Sequence, residues 1–268
     1  MKRVEDPRLV RGIGTYTDDL RLPGLLHAAI LRSPHAHARV KRIDASAAQA
    51  MPGVVGVFTG KDVNDACGAV PCAAAIPALK APRHTVLAGD RVYFVGHAVA
   101  VVVATDPYSA RDAVEAIEVD YDPLPVVVNP EEAAKSGSAL THPDLGTNVA
   151  FSQTVAGGGD IEAAFRNADR IITHRLYHQR LTPMPIEPRA VVASYHRGEQ
   201  ALTLWTSTQI PHLLRTLLPG MLNIPEPKLR IVAPEVGGGF GAKLNVYAEE
   251  ALVAHLAMRL NAPVKWIE

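Results

Sequence analysis

The most unusual short stretch of the sequence is EVGGGFGAK, residues 235–243, in which glycine fills four of the five positions 237–241. Glycine costs about 0.5–1 kcal/mol more than alanine in ordered regular structure, so such a run needs a role for bare backbone. It lies between a predicted strand, PKLRIVAPEV, and a predicted amphipathic helix, NVYAEEALVAHLAMRL. Helix N-termini offer unpaired N–H groups and the positive end of the helix dipole. The stretch is therefore a candidate site for an anion or for the pyrophosphate of a cofactor.

The loop is only partly similar to two familiar phosphate-binding motifs. A P-loop places Ser or Thr after a Gly-Lys pair, whereas Lys243 follows Ala242 and precedes Leu244. The dinucleotide fingerprint G-x-G-x-x-G/A matches at Gly237, Gly239 and Ala242. However, no βαβ unit is predicted around it, and it lies near the end of the chain. A tight turn packed against neighbouring residues remains an alternative.

Two side chains near the loop are candidate ligand contacts. Phe240 stands between glycines, where a plain turn would prefer Asn, Asp or Ser, and an aromatic ring there suits the wall of a pocket. Gln209, in LWTSTQIPH, ends a predicted strand just before a predicted helix. Its amide offers two donors and one acceptor without charge, and a strand end places it well to contact a ligand. The alternative for Gln209 is a hydrogen bond to local backbone at the start of the helix.

Other residues with chemical potential have simpler explanations. Glu187, in HQRLTPMPIEPRAVV, is predicted to be a buried carboxylate paired with Arg189 or Arg180, with a catalytic role as the alternative. His174 and His178 would share one side of a predicted strand, which permits metal binding, but no third ligand is evident. The sequence therefore assigns no catalytic residue and no metal-ligating residue.

The composition is that of an ordinary globular protein. Its 268 residues, 48% of them hydrophobic, suffice for a core and for about two domains. With 27 basic and 27 acidic residues and 5% aromatics, nothing points to nucleic acid or to a membrane surface. No apolar run reaches the ~18 residues of a membrane span, and MKRVEDPRLV lacks the apolar core of a signal peptide. Cys67 and Cys72 are expected to be free thiols rather than a disulfide, so we expect a cytoplasmic protein.

The pattern of elements predicts an α+β fold. In residues 1–122, an irregular arm precedes strands at LLHAAILRS, HARVKRID, PGVVGVFTG and AVAVVVAT, with a short helix at ASAAQAM, a long loop at 64–90 and a helix capped by Asp106. Residues 123–149 are proline-rich and are predicted to be a linker.

The second predicted unit covers residues 150–268. It contains a short helix capped by Asp160, a strand at RIITHRLYHQR, a hairpin that turns at 196–200 and the strand, glycine loop and helix described above. The chain ends on a strand-like APVKWIE without a cap or a turn. We therefore expect one piece of a longer or split protein.

Several stretches resemble the large subunits of the molybdenum hydroxylases, the family of xanthine dehydrogenase, aldehyde oxidase and carbon monoxide dehydrogenase. They are, in chain order, VEDPRLVRGIGTYTDDLRLPGLLHAAILRSPHAHARVKRID, RLTPMPIEPRAVVA, WTSTQIPH and PEVGGGFGAK. Their order and spacing agree along essentially the whole chain, and the opening is most similar to bacterial large subunits of the carbon-monoxide-dehydrogenase type. The resemblance implies a small α+β hammerhead domain up to residue 122 and the beginning of a larger molybdopterin-binding domain from residue 150.

The same resemblance implies a molybdenum–molybdopterin cofactor, usually of the cytosine dinucleotide form in bacteria. By motif match, it would contact Gly238, Gly239, Phe240 and Gly241, and Gln209 matches the family's glutamine whose amide faces the oxo group of the metal. Dithiolene sulfurs hold the metal in this family, so no protein ligand is needed. The implied reaction hydroxylates an aldehyde, carbon monoxide or an N-heterocycle with oxygen from water. Electrons would leave through iron–sulfur clusters and FAD on a small and a medium partner subunit.

The resemblance also sets a limit on what this chain would do alone. Large subunits of the family are much longer, and their catalytic glutamate is implied to lie beyond residue 268. The chain alone would therefore not be catalytic and would need the remainder of the large subunit. The alternatives are a non-catalytic scaffold that binds partner subunits, and an unrelated nucleotide-binding α/β protein.

Overall fold

The computed structural model describes residues 3–72, 74, 76–155 and 157–268. Residues 1 and 2 of the predicted arm, 73 and 75 of the predicted loop, and 156 of the second predicted unit lie outside it. The strands are β1 (Leu26–Arg32), β2 (Ala38–Asp44), β3 (Val54–Thr59), β4 (Arg91–Val92), β5 (Ala98–Ala104), β6 (Glu118–Pro123), β7 (Ala190–His196), β8 (Ala201–Thr206), β9 (Leu229–Val232) and β10 (Val264–Ile267). The α-helices are α1 (Asp6–Leu9), α2 (Ser46–Gln49), α3 (Gly60–Val63), α4 (Pro107–Glu115), α5 (Pro130–Ala133), α6 (Ile161–Arg166), α7 (Pro211–Leu222) and α8 (Ala248–Leu260).

A seven-stranded mixed sheet forms the centre of the molecule. Its strand order is β3-β5-β1-β10-β7-β8-β9, and a smaller sheet has the order β4-β2-β6. β1 pairs with β10 in parallel, with Leu26 opposite Val264, so strands from both predicted units share the large sheet. β8 and β9 are also parallel neighbours. The α+β prediction is confirmed, whereas the boundaries of the two units stay a prediction.

The β-branched run predicted as a central strand, β5, is buried at all seven positions. Successive side chains of a strand point to opposite faces. Val101 and Val103 accordingly pack into the core formed with α7 and α8, and Ala100 and Val102 pack against α2 and α4. Burial on both faces explains why the run has no polar alternation.

Helix caps fall where the sequence places them. The Asp106 carboxylate accepts hydrogen bonds from the backbone N–H groups of Tyr108 and Ser109, both at 2.9 Å, and so begins α4. The Asp160 carboxylate accepts from Ala163 N–H at 3.1 Å at the start of α6. Such caps satisfy N–H groups that the helix itself leaves unpaired.

The helix predicted after the glycine loop is confirmed as α8, which begins at Ala248, three residues later than the predicted Asn245. It packs against β7 and β10. Its predicted apolar positions Leu252 and Leu256 are buried in the main core. The helix before β9, α7, contributes Leu214 and Leu218 to the same core, so the two helices cover one face of the sheet beside the glycine loop.

One predicted strand is wrong. Residues 167–189 form no helix or strand, although RIITHRLYHQR has the composition of a strand. Ile172 is 89% exposed and Leu176 is 79% exposed. A strand needs a neighbour to accept its backbone hydrogen bonds, and no strand of the described chain pairs with this segment. His174 and His178, the pair with possible metal geometry, lie exposed on it.

Both thiols are free, with Cys67 buried and Cys72 exposed. Among the described residues, none of the helices has the length and apolar content that a bilayer crossing requires.

Candidate functional site

The topology of the large sheet brings three separated segments to one edge. Because β8 and β9 are parallel neighbours, their carboxyl ends lie side by side. Gln209 follows β8 and the glycine loop follows β9. β7 runs antiparallel to β8, with Val191 opposite Thr206, so the residues just before β7, including Glu187, reach the same edge. Ligand sites of α/β sheets commonly form outside the carboxyl ends of parallel strands.

The centre of the glycine loop is a tight turn with an unusual backbone. Ala242 N–H donates to the carbonyl of Gly239 at 2.7 Å. The two central residues, Phe240 and Gly241, have φ of 50° and 91°, as in a type I′ turn. The left-handed region is costly for a bulky residue such as Phe240, and this residue is 76% exposed. A strained, solvent-exposed aromatic residue is typical of a functional site.

Gln209 is fixed by the glycine loop rather than by its own helix. Its Oε1 accepts hydrogen bonds from Gly241 N–H at 3.1 Å and from Lys243 N–H at 3.3 Å. Its backbone N–H donates to the carbonyl of Lys243 at 2.9 Å. Two N–H donors require an oxygen acceptor, so the orientation of the amide is determined. Gln209 is exposed, and its NH₂ group has no acceptor among the described residues, so it is left as a donor.

Two of the glycines are needed because side chains of the same chain lie against their backbone. A Cβ on Gly239 would come within 2.5 Å of Gln209 Oε1. A Cβ on Gly237 would come within 2.5 Å of the Cβ of Glu187. Gly238 has φ of 102°, which favours glycine, and a Cβ there would lie 2.8 Å from the Phe240 ring. The close approach that the sequence indicated is therefore, in part, an approach to Gln209 and Glu187.

Glu187 is a structural ion-pair partner, but not with the residues predicted. Its Oε2 accepts from Lys243 Nζ at 2.9 Å and from Gly237 N–H at 2.7 Å. Arg189, one of the two predicted partners, instead contacts Glu249 at 3.0 Å and Glu268 at 2.6 Å. Spacing along the chain favoured Arg189, whereas the turn of the glycine loop brings the more distant Lys243 back to Glu187.

The N-terminal arm braces the beginning of the loop, which sequence reasoning missed. Thr15 N–H donates to Glu235 Oε2 at 2.9 Å, and Glu235 N–H donates to the Thr15 carbonyl at 3.2 Å. Arg8 forms an ion pair with the same carboxylate. A Cβ on Gly237 would also lie 3.4 Å from the Tyr16 ring. These partners are separated by more than two hundred residues, so no local pattern could have indicated them.

Carboxylates at the start of α8 form a buried layer behind the loop. Glu250 accepts from Tyr247 N–H at 3.0 Å and from Thr206 Oγ1 at 2.9 Å, and burial raises its pKa to about 7. Burial also opposes ionisation of Glu249, but Arg189 and Arg32 outweigh it and hold the pKa of that carboxyl below its usual value. A cavity of about 10 Å³ lies among these groups, enough for a single water molecule.

Several backbone hydrogen-bond donors of the loop are left without an acceptor. The backbone N–H groups of Gly238, Gly239 and Phe240 have no acceptor among the described residues. Together with the Gln209 NH₂ group, they suit a group rich in oxygen atoms or negative charge. A Cβ on Gly241 would meet open space, so room remains beside this residue. In the described part of the chain no three His, Cys, Asp or Glu side chains are placed to hold a metal ion.

Two known protein families match two successive segments of the chain. The family model of the aldehyde oxidase and xanthine dehydrogenase a/b hammerhead domain matches residues 11–125. The family model of the molybdopterin cofactor-binding domain matches residues 141–268.

Individual relatives agree with these matches. The carbon monoxide dehydrogenase large chain of Hydrogenophaga pseudoflava is 38% identical over 98% of this chain and 34% of its own length. The nicotine 6-hydroxylase large subunit of Paenarthrobacter nicotinovorans is 37% identical over 99% of this chain and 32% of its own length. The crystal structure of quinoline 2-oxidoreductase from Pseudomonas putida 86 superposes with a TM-score of 0.94 at 39% identity, covering 100% of this chain and 34% of that one. The chain thus spans about a third of the length of the relatives it matches.

Proposed function

Because the chain belongs to the xanthine dehydrogenase and aldehyde oxidase family of molybdenum-dependent oxidoreductases, we propose that it supplies part of the molybdopterin site of a large subunit. The observation that supports this most directly is the orientation of Gln209. Its carbonyl is held by two N–H groups of the glycine loop, which leaves its NH₂ group as a free donor beside three unpaired backbone N–H groups.

In this proposal the turn Gly238–Gly241 lies against the cofactor. The backbone N–H groups of Gly238, Gly239 and Phe240 would donate to its oxygen atoms, and the exposed Phe240 ring would cover one side of it. The Gln209 NH₂ group would donate to an oxygen on the metal. Such donors need no reorganisation, because Lys243 and Gly241 already fix the amide. The cofactor, when bound, would supply a two-electron oxidation at molybdenum, with water as the source of oxygen.

We propose the remaining features of the enzyme from its relatives. The domains would be the arm and hammerhead at 1–122, a linker at 123–149 and the beginning of the molybdopterin domain at 150–268. The matches at 11–125 and 141–268 support the division into two domains, and the second match begins within the proposed linker. The cytosine dinucleotide form of the cofactor is proposed because the similar proteins are bacterial. The substrate would be an aldehyde, carbon monoxide or an N-heterocycle. The names of the relatives refer to chemically different substrates, so they do not narrow the proposed substrate to one of these classes.

The proposed assembly contains the remainder of the large subunit and two partner subunits, one with iron–sulfur clusters and one with FAD. This chain would not turn over substrate alone, because the catalytic base is proposed to lie in the remainder. A cytoplasmic location is proposed, and the two free thiols support it because a reducing compartment preserves them.

The test is to purify the assembled large subunit that contains these residues and to measure molybdenum by mass spectrometry and pterin by fluorescence after oxidation. We expect stoichiometric molybdenum and pterin. A correctly assembled protein that retains neither would contradict the proposal. Retention of a nucleotide without pterin would instead support the nucleotide-binding alternative.

A further inference from the structure

Glu187 and Lys243 form an ion pair that is buried at the base of the glycine loop. The Lys243 side chain is 1% exposed and the Glu187 side chain is 11% exposed, with 2.9 Å between Nζ and Oε2. Isolated buried charges are expensive, so a lysine of this kind persists only with a partner. The resemblance to the molybdenum hydroxylases assigned no role to either residue.

A single carboxylate oxygen joins the two ends of the loop. Glu187 Oε2 accepts from Gly237 N–H at the beginning of the loop and from Lys243 Nζ at its end. Glu187 N–H also donates to the Gly237 carbonyl at 3.3 Å. The six residue-to-residue steps from Gly237 to Lys243 would span roughly 20 Å if extended. Contact with one oxygen holds them together and forces the chain to turn at Phe240 and Gly241.

The same lysine is connected to Gln209 through its backbone. Lys243 N–H donates to Gln209 Oε1, and the Lys243 carbonyl accepts from Gln209 N–H. A displacement of Lys243 would therefore move both the loop and the Gln209 amide. Glu187 is connected to Gln209 indirectly, through Lys243 and through the loop between Gly237 and Gly241, so its effect on that amide would be one of position.

The geometry is not that of an ion pair optimised for stability. Glu187 Oε1 is buried and has no hydrogen-bond partner among the described residues. A buried acceptor without a donor is destabilising, and an apolar pair of similar size often stabilises a core at least as well as an ion pair. We infer that Glu187 and Lys243 are a positioning pair that sets the shape of the glycine loop and the direction of the Gln209 amide.

The inference is tested first without cofactor, by hydrogen exchange of the 268-residue chain. Glu187→Gln keeps one oxygen to accept from Gly237 and Lys243 but leaves the lysine uncompensated. Lys243→Met leaves the carboxylate with Gly237 alone. Each single variant is expected to speed exchange in peptides covering residues 236–244 by about tenfold or more. The double variant Glu187→Gln/Lys243→Met, which buries no charge, is expected to recover much of that protection.

The matched control is the exposed ion pair Glu132–Lys135, at 2.6 Å with both side chains more than 60% exposed. Glu132→Gln and Lys135→Met are expected to leave exchange at 236–244 unchanged. Strand β7 serves as an internal reference for global opening. Unchanged loop exchange in both single variants would overturn the inference. So would acceleration that is equal in the loop and in β7, because the pair would then serve only global stability.

A second readout separates this inference from the proposed function, on which it rests for the role of Gln209. In the assembled large subunit, the single variants are expected to lower molybdenum content and the double variant to restore it partly. Faster loop exchange with full molybdenum content would keep the pair as a determinant of loop shape. The same result would count against the proposed contact between loop and cofactor.

Discussion

At the residue scale, the two ends of the Gln209 amide differ: its oxygen is hydrogen-bonded within the chain, whereas its NH₂ group is unpaired among the described residues. The oxygen accepts hydrogen bonds from Gly241 and Lys243. An ordinary surface glutamine samples many rotamers, and restricting it costs conformational entropy. Here the hydrogen bonds to the loop already restrict the Gln209 side chain before any ligand binds. This is the arrangement expected of a preorganised donor.

Substitutions at Gln209 test the roles of its oxygen and of its NH₂ group separately. Gln209→Glu keeps oxygen acceptors for the loop but removes the NH₂ donor, so turnover of the complete enzyme is expected to fall by about 10²–10³-fold with the fold intact. Gln209→Ala removes both the oxygen acceptor and the NH₂ donor, so it is also expected to speed hydrogen exchange at 236–244. Turnover is measured per bound molybdenum, with the exposed Gln153→Glu as control. Unchanged turnover of Gln209→Glu at full molybdenum occupancy would contradict the proposed role of the amide in the site.

The glycines allow a second prediction at this scale. Gly239→Ala places a methyl group against Gln209, and Gly241→Ala imposes a side chain at φ of 91° with open space around it. Both variants are expected to associate normally with partner subunits but to lose molybdenum and pterin, measured by mass spectrometry beside size-exclusion chromatography. Gly146→Ala, at φ of 69° and also open, controls for strain of about 1–2 kcal/mol away from the site. Full metal content with a lowered melting temperature would leave GGGFG as a structural turn.

At the scale of elements, the first turn of α8 contains an unusual acid. Glu250 is 4% exposed, and burial raises its pKa to about 7 from an ordinary value of 4.5. The folded state then holds the proton more tightly than the unfolded state. Its contribution to stability is complete below pH 4.5 and is lost as the pH rises through 7, by an amount on the order of 3 kcal/mol.

Glu250→Gln tests this dependence. The variant cannot ionise, so its melting temperature is expected to fall less between pH 5 and 8 than that of the parent chain. Because Gln has one oxygen, it loses one of the bonds from Tyr247 and Thr206, and we expect it to be about 1 kcal/mol less stable at pH 5. Glu115→Gln, an exposed change on α4, should retain the parental slope. Parallel melting curves for Glu250→Gln and the parent would contradict the assignment.

The elements show which parts of the fold are local properties of the sequence. The caps at Asp106 and Asp160 and the buried strand β5 could be predicted, because short-range hydrogen bonding and side-chain type determine them. The strand predicted at residues 170–180 is wrong because pairing is not local. The same limit applies to the site. Gln209 and the loop could each be recognised, but that they meet depends on the parallel pairing of β8 with β9.

At the scale of the whole molecule, the large sheet ties the beginning of the chain to its end. β10 lies between β1 and β7, so a strand from the last residues joins strands that are far away in sequence. Lys265 on β10 is 2% exposed, and its Nζ donates to the Asp18 carbonyl of the arm at 2.6 Å. The sequence could not indicate this arrangement, since neither the parallel pairing nor the arm contact has a local signature.

The last prediction concerns the segment of residues 168–186. Its apolar side chains include Ile172, Leu181 and Ile186, which are 89%, 84% and 100% exposed. Apolar patches beyond a few hundred Å² favour association. The isolated chain is expected to bind a hydrophobic dye and to elute as more than a monomer, measured by dye fluorescence and by light scattering after size-exclusion chromatography.

Variants connect this behaviour to the segment. Ile172→Lys combined with Leu181→Lys is expected to lower dye fluorescence and the apparent mass together, because it places charge where a partner surface would otherwise cover apolar atoms. The control is Val55→Lys combined with Val128→Lys, two exposed apolar positions elsewhere, 45% and 84% exposed. It should change neither quantity by a comparable amount. A monodisperse parent chain that melts cooperatively and binds no dye would show that the apolar side chains of this segment do not require a partner surface to bury them.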